Sequence, residues 1–153
     1  MRTSEITVGE FLYEAEISFT QVVDYGMSLE SVLSGDVSLP PAGARFDVHF
    51  RGNLRGPRLS GTVAGVDYLH LRADGRGQLH IHAQITTDDS QNIAFFADGV
   101  VLKQEGRTEW LLRENASFIS ATPTYSWLNQ IQVWGQGTVD PVKGEVRVKA
   151  YAA

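Results

Sequence analysis

The chain contains no cysteine. Disulfides, thiolate nucleophiles and Cys-ligated metals are excluded together. The redox compartment stays open, because a chain without thiols tolerates either environment. Basic charge is also short: 13 Lys and Arg stand against 18 Asp and Glu, for a formal net charge of -5. A protein that grips nucleic acid through phosphates needs a basic face. The one local cluster, Arg51, Arg55 and Arg58, does not supply it, so no nucleic-acid partner is expected. No apolar run approaches the roughly 20 residues that span a bilayer. The N-terminal stretch MRTSEITVGEF lacks the apolar centre of a secretory signal. A cytoplasmic protein without a membrane partner is the expectation. A G-x-S-x-G nucleophile elbow is missing too, and Arg51 to Gly56 (RGNLRG) lacks the lysine and the following helix of a phosphate loop.

What is present is period-two alternation over most of 153 residues, enough for one domain, 1–153, with a core. Phe11, Tyr13, Ala15, Ile17 and Phe19 alternate with Leu12, Glu14, Glu16 and Ser18. Phe46, Val48 and Phe50 alternate with Asp47, His49 and Arg51. Asn92 to Gln104 reads as a strand bent at Asp98-Gly99. Thr108 to Ala121 is ambiguous, its first half fitting a helical turn while Ser117 to Ala121 reads as strand, and Tyr125 to Thr138 and Glu145 to Tyr151 read as further strands. Many short strands with frequent turn signals predict an all-β fold, an antiparallel β-barrel of about 8 strands, since closure removes exposed edges. Asp24 to Gly43 breaks the pattern with one short helix: Ser28 caps it, Leu29, Val32 and Leu33 form its stripe and Gly35 ends it. It either plugs one barrel end or forms a mobile lid. An antiparallel barrel with exposed aromatic strands can also dimerise, so a homo-oligomer is a candidate assembly.

Val66 to Asp89 (VDYLHLRADGRGQLHIHAQITTDD) holds three of the four histidines. With Asp74-Gly75-Arg76 as the loop, Leu71 faces Leu79 and Leu69 faces Ile81, which sets His70 opposite His80 and Tyr68 opposite His82.

Five segments in order, GPRLSG (Gly56 to Gly61), Asp67-Tyr68, RADG (Arg72 to Gly75), TTDDS (Thr86 to Ser90) and YSWLN (Tyr125 to Asn129), resemble the small bacterial and fungal β-barrel family known as domain of unknown function 3237. The resemblance runs over roughly residues 10 to 153. It implies an antiparallel barrel and no particular reaction. The family usually has Gly where this chain has Ser90, and its connection at Asp24–Gly43 is shorter. Its frequent polar residues at the positions of His80 and His82 imply inward-facing polar groups there.

On that orientation the expected site is a barrel cavity for a small, partly apolar molecule. His80 or His82 acts as general acid/base with His70 and Tyr68 as partners. Tyr125, Trp127 and Asn129, of one parity on a strand, form the wall, with Arg72 assisting. Asp67 and Asp89 are alternative bases, although turn and strand-end hydrogen bonding explains both. The chemistry expected is lyase or isomerase work without an organic cofactor. The alternatives are a non-catalytic binding protein for the same ligand and a solid structural barrel. Zinc on His70, His80 and His82, with His49 in reserve, is a further alternative.

Overall fold

The computed structural model describes residues 8–152. Eight antiparallel strands close into a barrel in chain order, β1 (Phe11–Asp24) pairing with both β2 (Ala44–Arg55) and β8 (Glu145–Ala152). Between them run β3 (Gly61–Leu71), β4 (Gly77–Thr87), β5 (Asn92–Leu102), β6 (Trp110–Ile119) and β7 (Val133–Asp140). The architecture is the one the alternation predicts. Inward residues such as Val63, Leu79, Ile81, Ile85, Leu112, Phe118 and Val148 build a common core, while their neighbours face out. Two irregularities in β1 bend its wall: the register shifts between Phe11 and Tyr13 and again between Phe19 and Gln21. The first lets consecutive residues, Leu12 and Tyr13, both be buried.

The helix predicted in the long connection is α1 (Leu29–Ser34). The Ser31 amide donates to Ser28 Oγ at 3.2 Å, and Gly35 closes the helix at φ +77°. Its stripe leans on one barrel end, where Leu29 and Val32 pack against a second cluster of Ala44, Phe46, Val48 and Leu71. The opposite end is closed by a 3-10 helix, Pro123–Gln130, with Leu128 fully buried.

Three local expectations change. The hairpin between β3 and β4 turns one residue earlier than predicted. The Arg72 amide donates to the Arg76 carbonyl at 2.9 Å, so the loop is Ala73-Asp74-Gly75, with Gly75 at φ +90°. A three-residue loop needs its left-handed residue last, which selects this frame. The register therefore moves by two: His70 faces Gln78, and Leu71 faces Gly77. A shift of two keeps the same side chains together on each face of the sheet. Thr108 to Ala121 contains no helical turn, because β6 starts at Trp110 and pairs with β5 and β7. YSWLN is helical, not extended: Pro123 stands in the first turn, where its fixed φ is favourable, and β7 begins only at Val133.

Ser90 stands at φ +66° in the β4–β5 turn, the only non-glycine among the described residues with positive φ. An L-residue pays roughly 1 kcal/mol or more for that backbone. Ser90→Gly is expected to stabilise the protein by up to about 1 kcal/mol, read as a rise in Tm, with no change in ligand binding.

Candidate active site

The barrel interior holds a cavity of about 100 Å³. Its lining is aliphatic and aromatic except for three residues: Tyr13, Asp67 and Glu114. Each lies on the core-facing parity of its strand. Tyr13 precedes Ala15 and Ile17 on β1, Asp67 shares parity with Val63 and Leu69 on β3, and Glu114 with Leu112 and Ala116 on β6. Alternation alone carries these polar groups into the apolar interior.

Backbone features make room for the two acids. Asp67 sits where the β3–β4 ladder is interrupted, and its Oδ1 accepts the His80 amide at 2.9 Å. The carboxylate thus supplies the acceptor for a strand N–H. Glu114 pairs with Gly99 on one side and Gly135 on the other. A Cβ at Gly135 would stand 2.9 Å from Glu114 Cγ and 3.1 Å from its Oε1, so glycine there is what lets the side chain lie as it does. The Glu114 carboxyl and the Tyr13 side chain both line the cavity.

Their proton affinities follow from this setting. Burial pushes Asp67 up to about 6, opposed by the His80 amide and the Arg45 charge. Burial, reinforced by the Asp67 charge, pushes Glu114 up to about 7. Burial, with Glu114 adding to it, holds the Tyr13 phenol well above its ordinary range. Near neutrality the arrangement is one carboxylate, one carboxyl group that readily holds a proton, and one phenol that keeps its own. Two acids whose burial brings both affinities close to neutrality can take up and release protons across one bound molecule.

At the α1 end the cavity adjoins a wholly apolar gap of about 50 Å³, lined by Leu29 and Leu33 from the helix. Phe19, Val48, Leu69, Val101 and Val139 border both spaces. The route from α1 to the acids therefore crosses only apolar side chains. Glu114 also reaches the floor of an outer groove of about 530 Å³ framed by Gly99, Trp134, Gly135 and Tyr151.

The residues expected to form the site lie elsewhere. Tyr68, His70, His80 and His82 do share one face, as predicted, but it is the outer face of the barrel. The physical reason is the opposite parity: Leu69, Leu71, Leu79 and Ile81 are apolar, and burying them turns the imidazoles outward. His80 and His82 are exposed and pack against Tyr68 and Phe96. His70 is apart from them, its Nε2 donating to the Ala42 carbonyl at 2.9 Å, which ties down the return from α1. Among the described residues no three His, Asp or Glu side chains converge as metal ligands, so His70, His80 and His82 do not form a three-ligand zinc site, and neither does His49 join them. Arg72 pairs with Asp74 inside its own turn, 2.7 Å apart.

Tyr125, Trp127 and Asn129 belong to the closing 3-10 helix and do not line the cavity. Tyr125 donates to Asp89 Oδ1 at 2.6 Å, and the Thr87 hydroxyl, seconded by Tyr125, holds the Asp89 carboxyl below its usual range. The Trp127 ring lies 3.6 Å from the Arg58 guanidinium carbon. Asn129 replaces a strand neighbour: its Oδ1 accepts the Ser120 amide at 2.8 Å and its Nδ2 donates to the Ser120 carbonyl at 2.7 Å. Asn129→Ala leaves both groups of buried Ser120 unpaired and is expected to cost about 2 kcal/mol in urea unfolding.

A family model described as a protein of unknown function, DUF3237, matches residues 40–153. The chain belongs to that family. The DUF3237 barrel is similar across its whole length to solved structures. A β-barrel-like protein from Acinetobacter baumannii AYE shares 19% identity with a TM-score of 0.77, covering 99% of this chain and 98% of its own. A protein of unknown function from Clostridium acetobutylicum shares 19% identity with a TM-score of 0.78 and 99% coverage of each chain. An enzyme from Penicillium herquei shares 21% identity with a TM-score of 0.65, covering 98% of this chain and 99% of its own. At these identities the likeness is one of fold. No curated protein matches the chain. Several DUF3237 segments noted in the sequence cluster at the barrel end closed by the 3-10 helix. There Gly56 and Ser60 bond to one another, Arg55 pairs with Asp88, and Asp89 meets Tyr125. Those motifs build the closed end. Asp67 was legible by another signal, a carboxylate standing on the apolar parity of a strand.

Proposed function

We propose that this DUF3237 barrel is a small-molecule enzyme of the lyase or isomerase type, moving a proton on an uncharged, largely apolar substrate held inside the barrel. The acid–base role expected of His80 and His82 passes to the interior groups. Asp67 removes a proton, Glu114 delivers one, and the Tyr13 hydroxyl hydrogen-bonds the oxygen on which negative charge develops. The observation that carries the reading is that two carboxyls, pushed up to about 6 and about 7, and a phenol line one apolar cavity. A structural module has no use for acids whose burial opposes folding. The fold relative from Penicillium herquei, itself an enzyme, agrees with a catalytic use of the barrel.

The test is proton exchange. Small neutral ketones and phenols are incubated with the protein in deuterated water, and carbon-bound deuterium is followed by NMR. Asp67 must be ionised and Glu114 protonated, so exchange is expected to rise with pH through about 6 and fall above about 7. Incorporation that survives unchanged in both Asp67→Asn and Glu114→Gln would refute the assignment. A second reading, a non-catalytic carrier, rests on the lining of the cavity, which is apolar apart from Tyr13, Asp67 and Glu114. It predicts tight, stoichiometric ligand binding and no deuterium uptake.

A further inference from the structure

We propose that His80 and His82 form a two-histidine chelate for a divalent transition-metal ion on the outer wall of the barrel, separate from the interior acids. The two residues stand at i and i+2 on β4, so both rings leave the same face of one strand. Their Nε2 atoms are 3.2 Å apart. With metal–nitrogen bonds of about 2.0–2.1 Å, that separation subtends roughly 100° at a shared ion, between the cis angle of a square plane and the tetrahedral angle. The observed rotamers therefore already have the bite of a chelate.

The rings are also held in place. Their centroids lie 5.0 Å from one another, and Phe96 meets both edge-on at 5.6 and 5.3 Å. Tyr68 flanks them at 6.3 and 6.1 Å from the other side. Without metal, one Nε2–H donates to the lone pair of its neighbour. Binding needs both lone pairs, so the donor ring carries its proton on Nδ1 instead, and no net proton is lost from a neutral pair. The site is two-coordinate from protein because the neighbouring candidates are engaged or displaced. Asp98, the ladder partner of His80, accepts a hydrogen bond from Asn115. His49 is separated from His82 by Val66 in the same row. Water fills the other positions, which suits Cu2+ best and Ni2+ or Zn2+ less well.

The test uses the full chain and Cu2+ alone, titrated calorimetrically at pH 7.5 in a weakly coordinating buffer, with electron paramagnetic resonance of the one-to-one mixture. The expected result is one bound equivalent with two equatorial nitrogens in the hyperfine pattern. His80→Ala and His82→Ala should each weaken binding at least tenfold, and His49→Ala should leave it unchanged. Both rings are exposed, so the variants keep the fold, which circular dichroism verifies. Equal affinity in the double variant His80→Ala/His82→Ala, or a wild-type signal without two nitrogens, overturns the proposal.

Discussion

Glu114→Gln is expected to make the protein more stable at pH 8 and to slow its proton transfer by about a hundredfold or more. The sign follows from where the protons sit. Asp67 and Glu114 hold their protons more tightly in the folded barrel, to about 6 and about 7, than their ordinary values of 3.8 and 4.5. Between pH 4 and 7 the native state therefore binds more protons than the unfolded chain, and stability falls as pH rises through that window. The stabilisation is complete below the unfolded values and lost once both folded values are passed. Each carboxyl accounts for roughly 3 kcal/mol at pH 8 by this linkage. An uncharged amide escapes that penalty but finds its own hydrogen bonds imperfectly, so a net gain of about 2 kcal/mol is expected, or several degrees in Tm. At pH 5 most of the gain should be gone, because folded Glu114 is then protonated already. Asp67→Asn should behave alike, its side-chain oxygen still accepting the His80 amide. Proton transfer should fall by about 10²- to 10⁴-fold in either variant. Thermal melts of the three proteins at pH 5 and pH 8 decide it. Equal shifts at both pH values would mean that the acids are not held in an ion-averse interior.

On the proposed function, this opposition between stability and chemistry accounts for the placing of the two acids. An isolated charge in an apolar cavity is costly, and the fold tolerates it by two local devices. The interrupted ladder gives Asp67 one amide, and the bare Cα of Gly135 gives Glu114 space. Neither device neutralises the charge by an ion pair, so both groups keep affinities near neutrality and remain usable as acid and base.

Strand order and closure were legible because period-two alternation is unambiguous over β1 to β5. Parity was legible as well, since His70, His80 and His82 do share one face. Which face is inside was decided by the wrong signal. The resemblance suggested inward polar groups at His80 and His82, whereas Leu69, Leu71, Leu79 and Ile81 offer far more apolar area to bury. Asp67 was visible as an acid on that apolar parity, and turn chemistry was preferred for it. Glu114 was hidden by the run WLLREN, whose apolar residues fit a helical turn as well as a strand; only pairing with β5 and β7 makes it extended. In YSWLN the assumed period failed outright. A 3-10 helix repeats every three residues, so Tyr125 and Leu128 share a side while Tyr125, Trp127 and Asn129 do not.

That change of period sets up the last expectation, a contrast inside one motif. Leu128 is fully buried and joins the core under the closed end, whereas Trp127 is only partly buried and leans on exposed Arg58. Leu128→Ala removes a packed side chain that the surrounding strands cannot follow inward, and is expected to cost about 2–4 kcal/mol, roughly 5–15 °C in Tm. Trp127→Ala loses a cation–π contact and part of its buried area, and should cost clearly less, about 1–2 kcal/mol. Neither residue lines the cavity, so ligand affinity of the folded fraction should be unchanged in both. A pocket-wall role for Trp127 makes the reverse prediction: small loss of stability and large loss of affinity. Urea titration of the two variants, followed by binding measurements well below each midpoint, separates the closed-end helix from a substrate wall.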